Sequence, residues 1–164
     1  MRYAEACVAD WDGGRAVRFA IRDRHSRELL GVVGLDSCVH LHRSCELGYW
    51  LRRDATGKGL MTEAANASVE FAFSRMAMHR IRCAAATDNF PSLRVIQRLG
   101  FRFEGIFRQA VVYKARNRDT AWFSIIDPEW PALRAVFTQW LAADNFDPQG
   151  QQRQSLLQLR SLSV

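Results

Sequence analysis

The chain contains no apolar run near the roughly 18 to 20 residues needed to cross a bilayer. Its opening, MRYAEACVADWDGG, lacks the apolar centre of a secretory signal. A cytoplasmic protein with no membrane partner is expected. Cysteine is sparse: Cys7, Cys38, Cys45 and Cys83 form no CxxC pair, which argues against a disulfide scaffold and fits reduced thiols. Lysine occurs only at Lys58 and Lys114, so the net charge of +6 and the pI near 9.7 rest on arginine. Such a bias reflects coding composition as much as function, yet the excess favours anionic partners: nucleic acid, a phosphorylated cofactor or an acidic protein. No internal repeat is present.

One cluster has metal-ligating chemistry. The segment CVHLHRSC places Cys38, His40 and His42 on one side of an extended stretch, with Cys45 three residues further on, a set that zinc accepts. The spacing matches no structural-zinc pattern, and polar residues between two strand-like runs form a hairpin loop, so no metal is expected.

What is present is an ordinary domain: 164 residues, 48% hydrophobic and 24% charged, enough to bury about 70% of the unfolded surface in one core. Val17, Phe19 and Ile21 alternate with polar residues, Leu29 to Leu35 is an apolar run, and Leu47, Tyr49 and Leu51 alternate again. These predict three antiparallel strands. From Gly57 to about Met76, Leu60, Ala64, Ala67 and Phe71 recur at helical spacing. HRIRCAAAT predicts a buried strand, and DNFPSLRVIQRLGF a short helix with Pro91 at its first position and Gly100 as its cap. FRFEGIFRQAVVYKA and TAWFSII predict two strands joined by RNRD, and Asp127-Pro128-Glu129 opens a helix to about Ala142. The expected organisation is a mixed α/β domain over residues 1–145, followed by a Gln-rich, loosely held tail over 146–164.

The stretch DATGKGLMTEA places Gly-Lys-Gly where a strand gives way to a helix. A nucleoside-triphosphate loop requires glycine five residues before the Gly-Lys pair and Ser or Thr after the lysine, where Arg52 and Gly59 stand. A dinucleotide fingerprint requires a third glycine where Thr62 stands. What remains is a helix N-terminus with unsatisfied N–H groups at Gly57, Lys58, Gly59 and Leu60, suited to a diphosphate. The plainer alternative is two glycines easing a tight turn.

The run ELGYWLRRDATGKGLMTEA followed by TDNFPSLRVIQRLGFRFEGIFR resembles the GNAT superfamily of acetyl-coenzyme A-dependent N-acetyltransferases, and within it the RimJ/RimL type that acetylates ribosomal-protein amino termini. The likeness runs from about Val17 to Ile126. It implies the GNAT fold, with acetyl-coenzyme A as co-substrate. The strand at Trp50 and Leu51 would lie along the pantetheine arm, Thr56, Gly57, Lys58, Gly59 and Leu60 would hold the pyrophosphate, and Asn89 and Ser92 would face the thioester. Asp54 and Thr56 stand where the superfamily usually carries Gln or Arg, leaving the backbone cradle and Lys58 to meet the phosphates. Family members begin with a strand and two helices, whereas this chain enters late in the second helix, around Tyr3 to Asp12. An N-terminally truncated fold with an exposed sheet edge is therefore expected, as a short variant, a fragment or a homodimer that covers the edge.

Acetyl transfer needs a neutral amine, an oxyanion stabiliser and a stabilised leaving thiolate. Glu46 shares a strand face with Gly48 and Trp50 and is the expected proton acceptor; its plainer role is a cross-strand partner for an arginine. By the resemblance, Ser92 hydrogen-bonds the departing sulfur and Asn89 orients the pantetheine amides; otherwise both are turn and first-turn residues. The acceptor expected is a protein N-terminal α-amine or a small-molecule amine. Two rivals are an inactive or fragmentary domain that keeps coenzyme A binding and a basic nucleic-acid module. The latter rests on RLGFRFEGIF, an RNA-binding strand pattern that Leu99 and Glu104 spoil.

Overall fold

The computed structural model describes residues 2–161. Its order is helix α1 (Arg2–Asp12), strands β1 (Val17–Arg22), β2 (Leu29–Val39) and β3 (Ser44–Leu51), helix α2 (Leu60–Ser74), strand β4 (Arg80–Ala86), helix α3 (Phe90–Leu99), strands β5 (Arg102–Tyr113) and β6 (Arg116–Ile126), helix α4 (Trp130–Trp140) and helix α5 (Leu156–Ser161). The strands form one sheet in the order β1-β2-β3-β4-β6-β5. Every neighbouring pair is antiparallel except β3 with β4. The mixed α/β architecture expected from the sequence is present, with β1 and β5 at its edges.

Alternation along the strands builds a dry face from Val33, Leu35, Cys45, Leu47, Ile81, Cys83, Phe123 and Ile125, all buried. Helix α2 covers β2 and β3 with Met61, Ala65, Val69 and Ala72, which recur at helical spacing and are buried. This corrects the sequence reading by one residue: Leu60, Ala64 and Phe71 are only partly buried and Ala67 is exposed. Alanines occur on both sides of this helix, so apolar period alone does not fix which side faces the sheet.

Two turns also differ from expectation. Lys114 and Ala115, both with positive φ (51° and 58°), turn the β5–β6 hairpin, so Arg116 to Asp119 lie within β6 instead of linking the strands. His40 to His42 form a 3-10 turn, which removes the extended geometry that placed Cys38, His40 and His42 on one side. His40 Nε2 lies 2.7 Å from the carbonyl of Gly14, and among the described residues no three His, Cys, Asp or Glu side chains are grouped to hold a metal.

Residues 146–161 are held, contrary to the expectation of a loose tail over 146–164, whose last three residues lie outside the described ones. Asn145 donates to the carbonyls of Trp140 and Gln154 at 2.9 and 3.1 Å, and Leu156 and Leu159 of α5 are buried in the common core. Arg160 donates to the carbonyls of Gln97 and Arg98 at the end of α3. Among the described residues no helix is long and apolar enough to span a membrane.

Candidate active site

Strands β3 and β4 pair only from Ser44 to Leu47 and from Arg80 to Cys83, while β3 continues to Leu51 and β4 to Ala86. The sheet therefore splits between them. A cleft of about 410 Å³ opens beyond the split, lined by Tyr49, Trp50, Leu51, the Thr56–Gly57 turn, Gly59, Leu60 and, opposite, Asn89, Ser92, Arg94 and Arg98. Backbone polar groups on strands that separate have lost their ladder partners and suit an extended amide-bearing ligand.

At one end of the cleft lies the glycine loop. Gly57 and Gly59 have φ of +80° and +79°, and a Cβ at either would meet nothing within 4 Å. The glycines are required by this backbone conformation, which other residues adopt at a cost of about 1–2 kcal/mol. The open space around them is available to a ligand. Among the described residues, the N–H groups of Gly57, Lys58 and Gly59 donate no hydrogen bond, and α2 begins directly after them, so unpaired donors and the helix dipole converge on one point. The carboxylate of Asp54 is paired with Arg52 at 2.5 Å, which holds its pKa below the usual range and offsets its charge beside the loop. Thr56 donates to the Arg53 carbonyl at 2.7 Å. Lys58 is absent from the cleft wall; it lines an adjoining recess with Gly57, Gly59, Arg94 and Arg98.

Helix α3 brings the opposite wall. Asn89 is its N-cap, accepting from the Ser92 N–H at 3.3 Å, and Phe90 rather than Pro91 is the first helical residue. The capping function read as the plainer role for Asn89 is thus present, while the residue also lines the cleft. Ser92 Oγ lies 3.0 Å from the hydroxyl of Tyr49. Burial, followed by the neighbouring Cys83 thiol, pushes the Tyr49 pKa up, with the Ser92 hydrogen bond pulling the other way. Burial pushes the Cys83 thiol itself up to about 12, so both remain protonated near neutral pH.

Glu46 lies outside the cleft wall, on the sheet face opposite the core. Its carboxylate is paired with Arg82 on β4 at 3.1 Å, each side chain 31% exposed, so the cross-strand pairing given as its plainer role is realised. On β2, Asp36 is directly opposite Glu46, an unfavourable juxtaposition of like charges that is offset because Arg18 pairs with Asp36 at 2.5 Å. The Arg82 guanidinium rests 5.9 Å from the Trp122 ring centroid. Glu46 precedes the last paired residue of β3, so it stands at the edge of the split from which the other face opens.

The sequence matches the acetyltransferase (GNAT) domain family over residues 2–102. The chain belongs to the GNAT acetyltransferase family. The acetyltransferase domain is 30% identical over 118 residues to the [ribosomal protein uS5]-alanine N-acetyltransferase of Escherichia coli, a match covering 71% of this chain. It spans 61% of that enzyme's length and 64% of another curated relative, an N-acetyltransferase of Bacillus subtilis. In structure it is similar to a GCN5-related N-acetyltransferase from Brucella melitensis (TM-score 0.83, 38% identity, 90% of this chain and 67% of that one). It is also similar to Mycobacterium smegmatis RimJ in complex with CoA-disulfide (TM-score 0.77, 26% identity, 84% and 66%). The fold and the RimJ/RimL kinship expected from the sequence are both present in the acetyltransferase domain.

Of the residues expected from sequence, Trp50, Leu51, Thr56, Gly57, Gly59, Leu60, Asn89 and Ser92 come together in the cleft, while Lys58 and Glu46 lie beside it. Sequence reasoning missed Tyr49, Arg94 and Arg98. Tyr49 stands in an alternating strand between Leu47 and Leu51, where an aromatic residue reads as core; its hydroxyl among leucines was the available signal. Arg94 and Arg98 lie one helical turn apart on α3, a spacing that places both on one side of the helix.

Proposed function

We propose that this domain transfers the acetyl group of acetyl-coenzyme A to a primary amine, with a protein N-terminal α-amine as the favoured acceptor. The observation that carries the reading is the continuity of the cleft from the unpaired N–H groups of Gly57 to Gly59 to the Ser92 hydroxyl at the sheet split. One end suits a pyrophosphate, the walls suit the pantetheine amides, and the other end offers a donor to a sulfur.

In this reading the loop N–H groups of residues 57–60 bind the diphosphate, with Arg94, Arg98 and Lys58 adding positive charge. Trp50, Leu51 and Asn89 orient the arm. Glu46 takes a proton from the ammonium, directly or through water, to give the neutral amine nucleophile, with Arg82 holding its carboxylate at the split. The neutral amine nitrogen then bonds to the acetyl carbon and releases its excess proton to solvent water, the C–S bond breaks with its electron pair going to sulfur, and Ser92 donates a hydrogen bond to the departing sulfur. Ordinary pKa values of about 8 for an α-amine and 10.4 for lysine make the neutral fraction near pH 7 differ by roughly 250-fold, so a carboxylate already paired with arginine suffices for an amino terminus. The uS5-alanine activity of the relative supports the same class. The exposed apolar residues of β5, Phe103, Phe107 and Val112 among them, support a homodimer, and the absence of a membrane-crossing helix among the described residues is compatible with a cytoplasmic location.

Thiol release from acetyl-coenzyme A, measured across peptide amino termini, polyamines and small amines, tests the proposal. Turnover fastest with a peptide amino terminus is expected; no release with any amine would remove it.

A further inference from the structure

The cleft contains a hydroxyl, that of Tyr49, to which the proposed chemistry gives no role. Tyr49 projects from β3 two residues past the point where β3 and β4 part, and its hydroxyl meets α3 at Ser92 twice: 3.0 Å from Oγ and 3.3 Å from the carbonyl oxygen. We propose that Tyr49 is the positioning residue that aims the Ser92 hydroxyl at the leaving sulfur. The inference rests on the reading of this cleft as the thioester site.

A phenol has one proton, and two acceptors on the same residue lie within its reach. In one arrangement Tyr49 donates to the Ser92 carbonyl and accepts from Ser92 Oγ, so the serine proton is turned away from the cleft. In the other, Tyr49 donates to Ser92 Oγ, and the serine proton is free to point at a ligand. Interconversion requires only rotation of two O–H bonds, with no heavy-atom movement. A sulfur that develops negative charge at the split selects the second arrangement, because it supplies the acceptor that Ser92 then lacks. The raised pKa of the phenol keeps the proton on Tyr49 across the neutral range, so it serves as a donor and not as a base. As the C–S bond breaks, the electron pair goes to sulfur, Ser92 retains its proton in a charge-assisted hydrogen bond, and the thiolate later takes a proton from solvent. No proton is lost by Tyr49. Packing reinforces the geometry: Tyr49 belongs to the partly buried residues against the core, as does Leu93 beside Ser92, which limits the rotamers of both side chains.

The experiment follows the thiolate absorption of bound coenzyme A as pH is raised, as a difference spectrum against enzyme alone, in wild type, Tyr49→Phe, Ser92→Ala and the double variant. Wild type is expected to bind coenzyme A with its thiol titrating below the free value. Tyr49→Phe moves the midpoint part of the way to that of Ser92→Ala, and adding Tyr49→Phe to Ser92→Ala moves it no further. Fluorotyrosine at position 49, a stronger donor with the same ring, shifts the midpoint the opposite way and does not depend on Phe being tolerated. In turnover, Tyr49→Phe lowers kcat about 10-fold, the scale of one hydrogen bond, with KM for acetyl-coenzyme A unchanged. A Tyr49→Phe midpoint equal to wild type, or equal effects of the substitution with and without Ser92, overturns the inference. Absence of turnover with every amine would instead remove the acetyl-transfer reading, while the thiol titration still decides the role of Tyr49.

Discussion

The two sides of the split sheet are built by different means. On the cleft side, the features of the candidate site are largely backbone: unpaired N–H groups at the glycine loop, β3 and β4 parted from each other beyond Leu47 and Cys83, and a helix start capped by Asn89. On the opposite side, the groups are side chains that meet between elements: Asp10 of α1 with Arg18 of β1 at 2.8 Å and, across strands, Arg18 with Asp36, Glu46 with Arg82, and Arg80 with Glu104 at 2.6 Å. A backbone site needs only the right turn and the right residue without a side chain, so it tolerates most substitutions but not those at its glycines. A side-chain network tolerates backbone change poorly and can exchange partners.

The largest expected effect breaks the backbone side. Gly59→Val forces a β-branched residue into φ near +79° and fills the space a ligand would use, so coenzyme A affinity should fall by about 100-fold or more, about 2.8 kcal/mol. The melting temperature should fall by about 2–8 °C from the backbone strain of a non-glycine residue at this φ, but the variant should still fold, because no protein atom lies within 4 Å of the new Cβ. Calorimetry with unchanged affinity in a folded variant would remove the loop from the site. Next, Ser92→Ala should lower kcat by about 100-fold with KM for acetyl-coenzyme A nearly unchanged and no rescue by pH, since its task is at the leaving group. Stopped-flow thiol release checks it.

Glu46→Gln sharpens the comparison from the other side. Turnover should fall about 10-fold near pH 7 and recover as pH approaches the α-amine pKa of about 8, where solvent supplies the neutral amine. A loss that is flat with pH would make Glu46 a structural partner of Arg82 alone. Leu159→Ala, in the helix under α3, should cost about 2 kcal/mol, or about 4–8 °C in melting temperature, without altering kcat. A kcat change with no thermal shift would mean that this segment touches the reaction.

The smallest effect concerns Glu104. Hydrogen bonds from Arg80 hold its carboxyl below the usual value. Because the folded pKa lies below the unfolded one, the stabilisation is present above about pH 4.3 and is lost as pH falls through the folded value. The stability difference between wild type and Glu104→Gln should therefore shrink in acid, as followed by urea unfolding from pH 7 to 3; a difference that grows in acid contradicts the assignment.

The cleft side was legible in the sequence because its determinants are local. Gly57 and Gly59 are there for backbone conformation, and Asn89, Pro91 and Ser92 lie within one helix start, so a contiguous stretch carries the signal. Glu46 was recognisable as a carboxylate sharing a strand face with Gly48 and Trp50, but its engagement by Arg82, 36 positions away in sequence, depends on the parallel register of β3 and β4. Tyr49 was hidden for the same reason: its hydroxyl matters only because α3 delivers Ser92 across the split. The phase of α2 failed because alanines on both of its sides make the apolar period ambiguous, and the docking of α5 failed because glutamine-rich composition masks Leu156 and Leu159, the two residues that bury it.

The most direct test of the central claim, that one cleft holds coenzyme A from the glycine loop to the sheet split, is a crystal structure of the full chain with coenzyme A. The pyrophosphate is expected against the N–H groups of Gly57 to Leu60, with the thiol within hydrogen-bond distance of Ser92 Oγ. A pyrophosphate bound elsewhere, or a thiol directed away from Ser92 while the loop is occupied, would contradict it.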